Sequence, residues 1–327
     1  MECDQGEILP THGTYSKMNI PKFFYHSRGG VNLLKRLPTL FKRFGWTSKK
    51  IEKVLHDYME ITKKFDCYPT FPVTAVVARR YPKMIRKLHE EGAEFAIHGY
   101  VHTDYSQLSE EEHRRHLVKA IRIFEENGIP FQGFRSPYLR WNGDTQNAIH
   151  QFPFHWTSQQ VVVWDVINLK EFSSSSQRAY EKVLNLYRPL NSADHPVLPQ
   201  IRNGIVEIPV SIPDDETLVD RLGIRDSEKI YEIWRKILDE THRRGEVFVL
   251  QLHHERIPAC GEPLEKLLRY GKTLKPPVWV ATLSQIALWW KERNSERWPN
   301  GFKSALSVTG DIDSITLFDF MMRIFEV

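Results

Sequence analysis

From Thr70 onward, short apolar runs alternate with longer stretches in which apolar residues recur at helical spacing. This alternation is typical of strands that are each followed by a helix and that pair in a parallel sheet. The predicted strands are TFPVTAVV, AEFAIHG, FQGFRSP, WTSQQVVVW, GIVEIPVS, EVFVLQLHH, VWVATL and KSALSVTGD. The predicted helices include YPKMIRKLHEEG, SEEEHRRHLVKAIRIFEENG, DSEKIYEIWRKILDETHRRG and LSQIALWWKERN. About eight such strands can close a barrel, whose sites gather at the C-terminal ends of the strands.

The chain before Thr70 contains two basic amphipathic stretches, residues 32–44 and a second one that Ser48 opens. Both are predicted to be helices with one face on a core. Residues 1–30 mix Gly, Pro and polar residues and are expected to form an irregular arm. Residues 31–327 are expected to form a single barrel domain, because no boundary divides the repeating pattern. The serines at 173–176 are interpreted as a local low-complexity loop.

Composition favours a globular protein with a sizeable core, since 41% of its 327 residues are hydrophobic and 26% are charged. The 45 Lys and Arg residues are intermixed with 41 Asp and Glu residues, so a nucleic acid partner is not expected. No apolar run reaches the roughly 18–20 residues of a transmembrane segment. The polar start lacks the features of a signal peptide, which predicts a cytoplasmic protein. The three cysteines lack CxxC spacing, which argues against a disulfide framework or a thiolate zinc site.

Two predicted strand ends carry residues that could bind a metal ion. In HGYVH, His98 follows a strand and His102 comes four residues later, so both imidazoles could reach one ion if a helical turn follows. Two histidines at this spacing more often lie on an ordinary helix face. SALSVTGDIDS brings Asp311 and Asp313 to another strand end, where the alternative is a turn or a helix N-cap. Two His and one Asp would leave coordination positions open, as a catalytic zinc requires.

Two further strand ends carry groups that could transfer a proton or bind an anion. EVFVLQLHHER ends in His253 and His254, and a histidine there could protonate a leaving amine. The alternative is a strand-end histidine with one hydrogen bond. GFRSPYLRW brings Arg135 and Tyr138 to another strand end, where the arginine could hold a carboxylate bidentately. Pro137 could turn the backbone so that Tyr138 or its N–H faces an oxyanion, although Arg135 could equally form a structural salt bridge.

Together, these four runs resemble the motif set of the polysaccharide deacetylase family, carbohydrate esterase family four, from about Ser48 onward. HGYVH is similar to the metal motif of the family, which implies that His98 and His102 are metal ligands. TGDID resembles the T-x-D-x-D variant of its first motif. This resemblance implies that Asp311 is the catalytic base and that Asp313 is the third ligand.

The other two runs extend the resemblance. RSPY is similar to the arginine motif of the family, which implies that Arg135 orients the base and that Tyr138 lines the oxyanion site. LQLHHE resembles the L-x-L-H-P-E run, which implies that His253 is the catalytic acid and that His254 replaces a proline.

The order of the motifs departs from the family pattern. The family normally begins with its Asp motif, followed by a helix, a TFPVT-like strand and the histidines, whereas here the Asp-bearing strand comes last. We therefore expect an α/β fold, a distorted (β/α) barrel of about seven to eight strands. We expect it to be circularly permuted, so that the strand carrying the Asp motif is C-terminal. Such a rearrangement is physically reasonable, because termini often lie close together in a domain.

Two segments match the family only in part. The D-x-x-x-W-type fourth motif has a partial counterpart in Trp164 and Asp165 of VVVWDVINLKEF. The run VEIPVSIPDD resembles a segment of the peptidoglycan-deacetylase-like branch, but the sequence assigns no role to its Asp214 and Asp215.

The resemblance implies a metal-dependent deacetylase that hydrolyses carbon–nitrogen non-peptide amide bonds and removes N-acetyl groups from an amino sugar in a polysaccharide or its precursor. Zinc is the first expectation for a His/His/Asp site, and cobalt, nickel, iron or manganese could occupy the same ligands. A hydrolase of another non-peptide amide and a catalytically silent sugar-binding protein are the alternatives. The sequence does not indicate which sugar is bound or the oligomeric state.

Overall fold

The computed structural model describes residues 43–293, 298–299 and 301–322. Its strands are β1 (Thr70–Val73), β2 (Glu94–Ile97), β3 (Gly133–Phe134), β4 (Trp156–Thr157), β5 (Val161–Val163), β6 (Leu190–Asn191), β7 (Gln200–Arg202), β8 (Ile205–Glu207), β9 (Val210–Ile212), β10 (Val247–Gln251), β11 (Val278–Val280) and β12 (Ser304–Thr309). Its helices are α1 (Lys49–Lys63), α2 (Ala75–Arg80), α3 (Pro82–Glu90), α4 (Glu110–Glu126), α5 (Gly143–Ile149), α6 (Ser174–Tyr187), α7 (Ser227–Arg244), α8 (Ile257–Gly271), α9 (Leu283–Arg293) and α10 (Leu317–Met322). A π-helical turn covers Glu216–Arg221.

The strands form one sheet in the order β6-β5-β9-β10-β12-β1-β2-β3-β4-β8-β7, with β11 paired to β12. The pairs are parallel except β7 with β8. The last strand in the sequence, β12, therefore lies between β10 and β1. Its residue Thr309 is in register with Gln251 on one side and with Thr70 on the other.

The sheet closes into a distorted barrel through two bent chain runs. Only residues 158–160 separate β4 from β5, and only residues 208–209 separate β8 from β9. β4 pairs with β3 and β8, whereas β5 and β10 both pair with β9. The hydrogen-bonded ladder therefore continues from β3 to the run that contains β4 and β5, then to the run that contains β8 and β9, and then to β10. This gives a ring of seven strand runs, with β11 beside the start of β12 as an eighth, and confirms the predicted barrel class.

The barrel strands have the burial expected when helices cover one face and side chains fill the other. Every residue of β10 and β12 is buried, as in parallel sheets that are covered on both sides. The first helix, α1, buries Ile51, Leu55 and Tyr58 at helical spacing against the same core. Its start after Ser48 confirms that helix prediction. Within the described ranges, no helix combines the length and apolar character needed to cross a membrane.

Two local predictions were wrong. The strand predicted in TFPVTAVV ends at Val73, and residues 75–80 form α2 instead. The serine run is not a loop, because Ser173 caps α6 by accepting a hydrogen bond from the Ser176 N–H at 3.2 Å. Serine favours this N-cap position because its hydroxyl pairs with a free N–H group of the first turn. The predicted arm at residues 1–30 and most of the stretch at residues 32–44 lie outside the described residues.

Candidate active site

The C-terminal ends of β2, β3, β10 and β12 bring most of the predicted site residues together. These four strands are neighbours or near neighbours in the parallel ring, so the residues that follow them lie at one edge. Asp311 lies at the centre of this edge and is buried. Its Oδ1 is 2.9 Å from Arg135 Nη1, and its Oδ2 is 3.6 Å from His98 Nε2.

Arg135 is buried and uses its whole guanidinium group to hold the site. Nη1 donates to Asp311 Oδ1 at 2.9 Å and to Thr309 Oγ1 at 3.0 Å. Nη2 donates to Ser158 Oγ at 3.0 Å, and Nε donates to the Ser158 carbonyl at 3.2 Å. Only one nitrogen therefore contacts Asp311, so the expected bidentate contact with a carboxylate is wrong. The other donors are used by Ser158, in the bent run between β4 and β5. Such additional hydrogen bonds are what make a buried ion pair tolerable.

His98 is held in the form that a metal ligand requires. Its Nδ1 donates to the Arg135 carbonyl at 2.9 Å, which leaves the Nε2 lone pair directed elsewhere. Nε2 is buried and has no hydrogen-bond partner among the described residues. Burial lowers the pKa of His98, although Asp311 and Asp313 oppose this effect, and so favours the neutral imidazole.

His102 and Asp313 lie beside this imidazole. The ring centroids of His98 and His102 are 5.2 Å apart, and His102 Nε2 is 3.3 Å from Asp313 Oδ2. The histidines do not converge through the expected helical turn, since the chain from 98 to 104 is irregular. Gly99 has a φ of +78°, and a side chain there would meet Tyr105 Oη at 2.6 Å. A tight glycine turn thus replaces the helical spacing.

The donor types at this edge fit a divalent metal ion. Two imidazoles and a carboxylate are the ligands that zinc prefers, and the unpartnered Nε2 of buried His98 is an atom that such an ion would satisfy. As the side chains stand, no group of three or more His, Cys, Asp or Glu residues in the described part of the chain is placed to hold a metal ion. The two His–Asp pairs, at 3.6 and 3.3 Å, bring these donor types to one edge.

A second carboxylate holds His253. The Asp215 Oδ1 atom is 2.9 Å from His253 Nδ1, and its Oδ2 accepts the His253 backbone N–H at 2.7 Å. Burial alone would lower the pKa of His253, but the charge and hydrogen bond of Asp215 hold it well above its usual range. Burial would raise the pKa of Asp215, but His253 and Arg256 outweigh it and lower that pKa. The imidazole is therefore oriented by Asp215, and its raised pKa favours the protonated form.

The neighbouring carboxyl group has the opposite environment. Burial, together with Asp215 and Glu216, raises the pKa of Asp214 to about 7. Its Oδ1 accepts the Thr217 N–H at 2.9 Å at the start of the π-helical turn. Asp214 thus stabilises the local chain, whereas Asp215 faces the imidazole.

Sequence reasoning missed two residues at this edge. Asp215 follows β9 closely and obeys the same strand-end rule as the others, so its position was a usable signal. Gln251, the last residue of β10, donates from Nε2 to Asp311 Oδ2 at 2.9 Å, and the same nitrogen is 3.3 Å from His253 Nε2. Its position two residues before His253 placed both on one side of the strand. Nothing in its residue type indicated the contact.

The partial match to the fourth motif does not supply the partner of His253. Trp164 is buried and donates from Nε1 to Ser211 Oγ at 3.1 Å, whereas Asp165 is exposed. The carboxylate on His253 is that of Asp215.

Tyr138 lies at the mouth of the site. Its ring packs edge-on against His102 with centroids 4.2 Å apart, and 44% of the residue is exposed. Tyr138 and Leu139 have φ values of 59° and 53°, a left-handed conformation that costs on the order of 1–3 kcal/mol for each residue. His254, in the position of the family proline, is buried, and burial lowers its pKa.

Comparisons with known proteins bear on the family and the fold of the chain. Residues 45–156 match the family model described as polysaccharide deacetylase. A peptidoglycan deacetylase-like protein of Gibberella zeae is 26% identical over 235 residues, which cover 63% of this chain and 65% of that protein. The chain thus spans about two thirds of the length of this curated relative.

Solved structures share the fold. A putative polysaccharide deacetylase from Mycobacterium smegmatis has a TM-score of 0.59 at 23% identity, with 83% of this chain and 86% of that chain covered. A probable polysaccharide deacetylase from Pseudomonas aeruginosa has a TM-score of 0.57 at 20% identity, with 73% of each chain covered. A PuuE allantoinase has a TM-score of 0.57 at 20% identity, with 75% of this chain and 74% of that chain covered.

Members of carbohydrate esterase family four generally use a divalent metal ion. The family match, the curated relative and the shared fold together support the assignment of this chain to the polysaccharide deacetylase family, a family of deacetylase-type hydrolases.

Proposed function

We propose that this protein is a metal-dependent deacetylase that removes N-acetyl groups from an amino sugar in a polysaccharide or its precursor. The observation that carries the proposal is the pairing of Asp311 with His253 across one amide nitrogen of Gln251, at 2.9 and 3.3 Å. The carboxylate and the imidazole each have their own buried partner, Arg135 and Asp215 respectively. A held base and a held acid at one edge are what amide hydrolysis requires.

The proposed ligands of the metal ion are His98, His102 and Asp313, with zinc as the first choice. A bound divalent ion would polarise the amide carbonyl and acidify water. Asp313 Oδ2 lies 3.3 Å from His102 Nε2, whereas the carboxylate of Asp311 is engaged by Arg135 at 2.9 Å, which supports Asp313 as the ligand and Asp311 as the base. Neutral imidazole, which burial favours at His98, is the form that binds a metal.

Hydrolysis then follows from the chain's own residues. Asp311 accepts a proton from water as the water oxygen bonds to the amide carbon, while Arg135 holds the Oδ1 atom of the base. The tetrahedral oxyanion forms near the mouth at Tyr138. His253 donates its proton to the amine nitrogen as the carbon–nitrogen bond breaks, and Asp215 stabilises its positive charge beforehand. Acetate and the free amine leave, and proton exchange with solvent restores both residues.

A second candidate is hydrolysis of another non-peptide amide. The shared fold with the PuuE allantoinase supports it, because one scaffold can carry the same chemistry on different substrates. A silent sugar-binding protein is disfavoured by the buried Asp311–Arg135 and His253–Asp215 pairs, which binding alone would not need.

Hydrolysis of a substrate panel tests these candidates, measured as acetate release for the N-acetylated sugars and as ring opening for allantoin, which carries no acetyl group. The panel contains the N-acetylglucosamine tetramer, N-acetylated peptidoglycan, a nucleotide-linked N-acetyl sugar and allantoin, each assayed with added zinc or cobalt. We expect acetate from at least one sugar and about one metal ion per chain by elemental analysis. Turnover of allantoin alone would establish the second candidate. Sugar binding without turnover, in protein that gains no metal, would establish the silent binder.

We also propose that the chain is a circular permutation of the usual family order. Support comes from the place of β12 between β10 and β1, and from the hydrogen bonds of Gly310 and Ile312 N–H groups to the carbonyls of Thr70 and Pro72. Moving the chain from Gly301 onward to a point before Ser48, with a short linker, should give a protein that folds and binds metal. Deleting that segment should abolish folding, because β10 and β1 would lose their ladder partner. A folded deletion variant would refute the permutation.

A further inference from the structure

Gln251 occupies an unusual place between the two groups that exchange protons in the proposed reaction. It is the last residue of β10 and is only 2% exposed. One nitrogen, Nε2, contacts Asp311 Oδ2 at 2.9 Å and lies 3.3 Å from His253 Nε2. Among the described contacts of Asp311, the donors therefore come from two different strands, Arg135 at the end of β3 and Gln251 at the end of β10.

The chemistry of the contact fixes which way the amide points. An ionised carboxylate can only accept, so the nitrogen of Gln251, and not its oxygen, must face Asp311. The Gln251 Oε1 atom is then buried without a hydrogen-bond partner among the described residues. A buried acceptor that is left unpaired destabilises the fold, whereas a hydrogen bond to a charged group is among the stronger ones. The charged contact is thus what holds the side chain in this orientation.

Arg135 and Gln251 act on different atoms of the same carboxylate. Arg135 holds Oδ1 and compensates the charge. A single contact at Oδ1 would leave the carboxylate able to turn about its Cβ–Cγ bond. The second contact, at Oδ2, fixes the plane, and each oxygen retains a lone-pair direction for the proton of water. Because the amide is neutral, it orients the base without adding a second positive charge.

We propose that Gln251 is a positioning residue for the reaction: it fixes the carboxylate plane of Asp311. This inference rests on the proposed deacetylase function and goes beyond it, because the residue acts through the base and not on the metal or the sugar. A misplaced base slows the chemical step and leaves substrate binding intact.

The test compares Gln251→Met, which keeps the length and removes the donor, with Gln251→Asn, which keeps an amide that is one methylene too short. Acetate release from the N-acetylglucosamine tetramer is measured on folded protein of equal metal content. We expect kcat to fall about 10- to 100-fold in both variants, as for removal of a supporting hydrogen bond, with KM changed less than about twofold. Gln251→Glu, which puts a carboxylate against Asp311 Oδ2, should lose more than Gln251→Met.

The matched control is Ser307→Ala on the neighbouring strand β12. Ser307 is buried and its hydroxyl has no hydrogen-bond partner among the described residues, so this change removes a core polar group without breaking a contact. Its kcat should equal that of the wild type. A wild-type kcat in Gln251→Met or Gln251→Asn, or a rise in KM with kcat unchanged, would overturn the inference alone. Absence of turnover in the wild-type protein on the whole panel would instead overturn the proposed function and this inference with it.

Discussion

Two carboxylates lie at opposite ends of the barrel, the partly buried Glu94 and the buried Asp311, and their surroundings differ. At the N-terminal end, Glu94 begins β2 and accepts hydrogen bonds from the hydroxyls of Thr70 and Thr282, each at 2.8 Å. It also accepts the Ser284 N–H in the first turn of α9, at 3.2 Å to Oε2. Burial raises the pKa of Glu94, although the hydrogen bonds from Ser284, Thr70 and Thr282 oppose this. Glu94 thus joins β1 and β2 to a helix through neutral donors.

At the C-terminal end, Asp311 has charged and titratable neighbours. Arg135 and Gln251 hold its two oxygens, and His98 lies 3.6 Å away. Asp311 is buried and Glu94 is partly buried, but this difference in depth does not by itself separate a structural from a functional acid. What separates them is the type of neighbour. Glu94 is surrounded by neutral donors that link two strands to a helix, whereas Asp311 lies beside a cation and imidazoles that allow a proton or an ion to be exchanged.

The largest effect is expected at Asp311. Asp311→Asn should keep the metal and lower kcat about 10²- to 10⁴-fold, because an amide cannot accept the proton of water. Asp313→Asn should instead lose metal affinity, since a ligand supplies charge to the ion. Acetate release and elemental analysis on both variants measure the two effects. If Asp311→Asn emptied the site and Asp313→Asn did not, the two roles would be reversed.

The next largest effect is expected at the glycine that precedes this base. A Cβ atom on Gly310 would lie 2.3 Å from the Leu252 carbonyl oxygen, so Gly310→Ala must push β12 away from β10. Because a shift of about 1 Å can cost roughly 10²-fold in rate, we expect a loss of up to that size in kcat. Gly143→Ala is the control, since its Cβ would meet nothing within 4 Å and its backbone is not left-handed. Equal kcat values for the two variants would contradict this account.

On the acid side, Asp215→Asn should act on the pH profile. Burial lowers the pKa of His253, and Asp215 more than offsets this effect. The variant should therefore have a lower His253 pKa, and its activity should decline at a lower alkaline pH than that of the wild type. Stability should change as well. The raised pKa of His253 stabilises the fold below about pH 6.5, and this contribution is lost as the pH rises through the raised value. The lowered pKa of Asp215 stabilises it above about pH 4, and this is lost as the pH falls.

The two contributions overlap between about pH 4 and pH 6.5, where the wild type should exceed Asp215→Asn most in melting temperature. Thermal unfolding of both proteins across this range, with the kcat profile, measures the effect. An alkaline limb that does not move would show that another group is the acid.

The smallest effect on activity is expected at the other end of the barrel. Glu94→Gln replaces one of the two carboxylate oxygens that share the Ser284 N–H, at 3.3 and 3.2 Å, with an NH2 donor, so this N–H keeps one acceptor and meets one donor. We expect the free energy of unfolding to fall by about 1 kcal/mol, the net contribution of a hydrogen bond, with kcat unchanged. Denaturant unfolding and acetate release measure the two quantities. A drop in kcat of the folded variant would show that Glu94, like Asp311, affects catalysis.

Much of the C-terminal end could be predicted from the sequence, because parallel strands present their last residues at one edge. This rule was sufficient for His98, Arg135, His253 and Asp311. It was also available for Asp215, whose acidic pair follows β9, but the residue was left without a role. Gln251 was beyond reach, since its importance depends on the register of β10 against β12, which places Gln251 opposite Thr309.

The prediction of local structure failed where the residue types suited both a strand and a helix. The run TFPVTAVV is apolar throughout, so its periodicity could not show that the strand stops at Val73 and that a short helix follows. The closure of the barrel was likewise not readable, since it depends on the bends at residues 158–160 and 208–209.

The late position of β12 has a consequence for synthesis on the ribosome. Tyr58 Oη donates to the Thr309 carbonyl, a partner 251 positions later in the chain. At roughly 5–20 residues per second, α1 waits about 10–50 s before that partner exists. The edge of β1 that β12 will cover remains exposed for most of this interval, and that of β10 is exposed from its own synthesis near the end of it; exposed strand edges are prone to pair with other chains. The nascent protein therefore passes through a period in which chaperone protection would matter most, and it ends only when the residues that complete the site emerge.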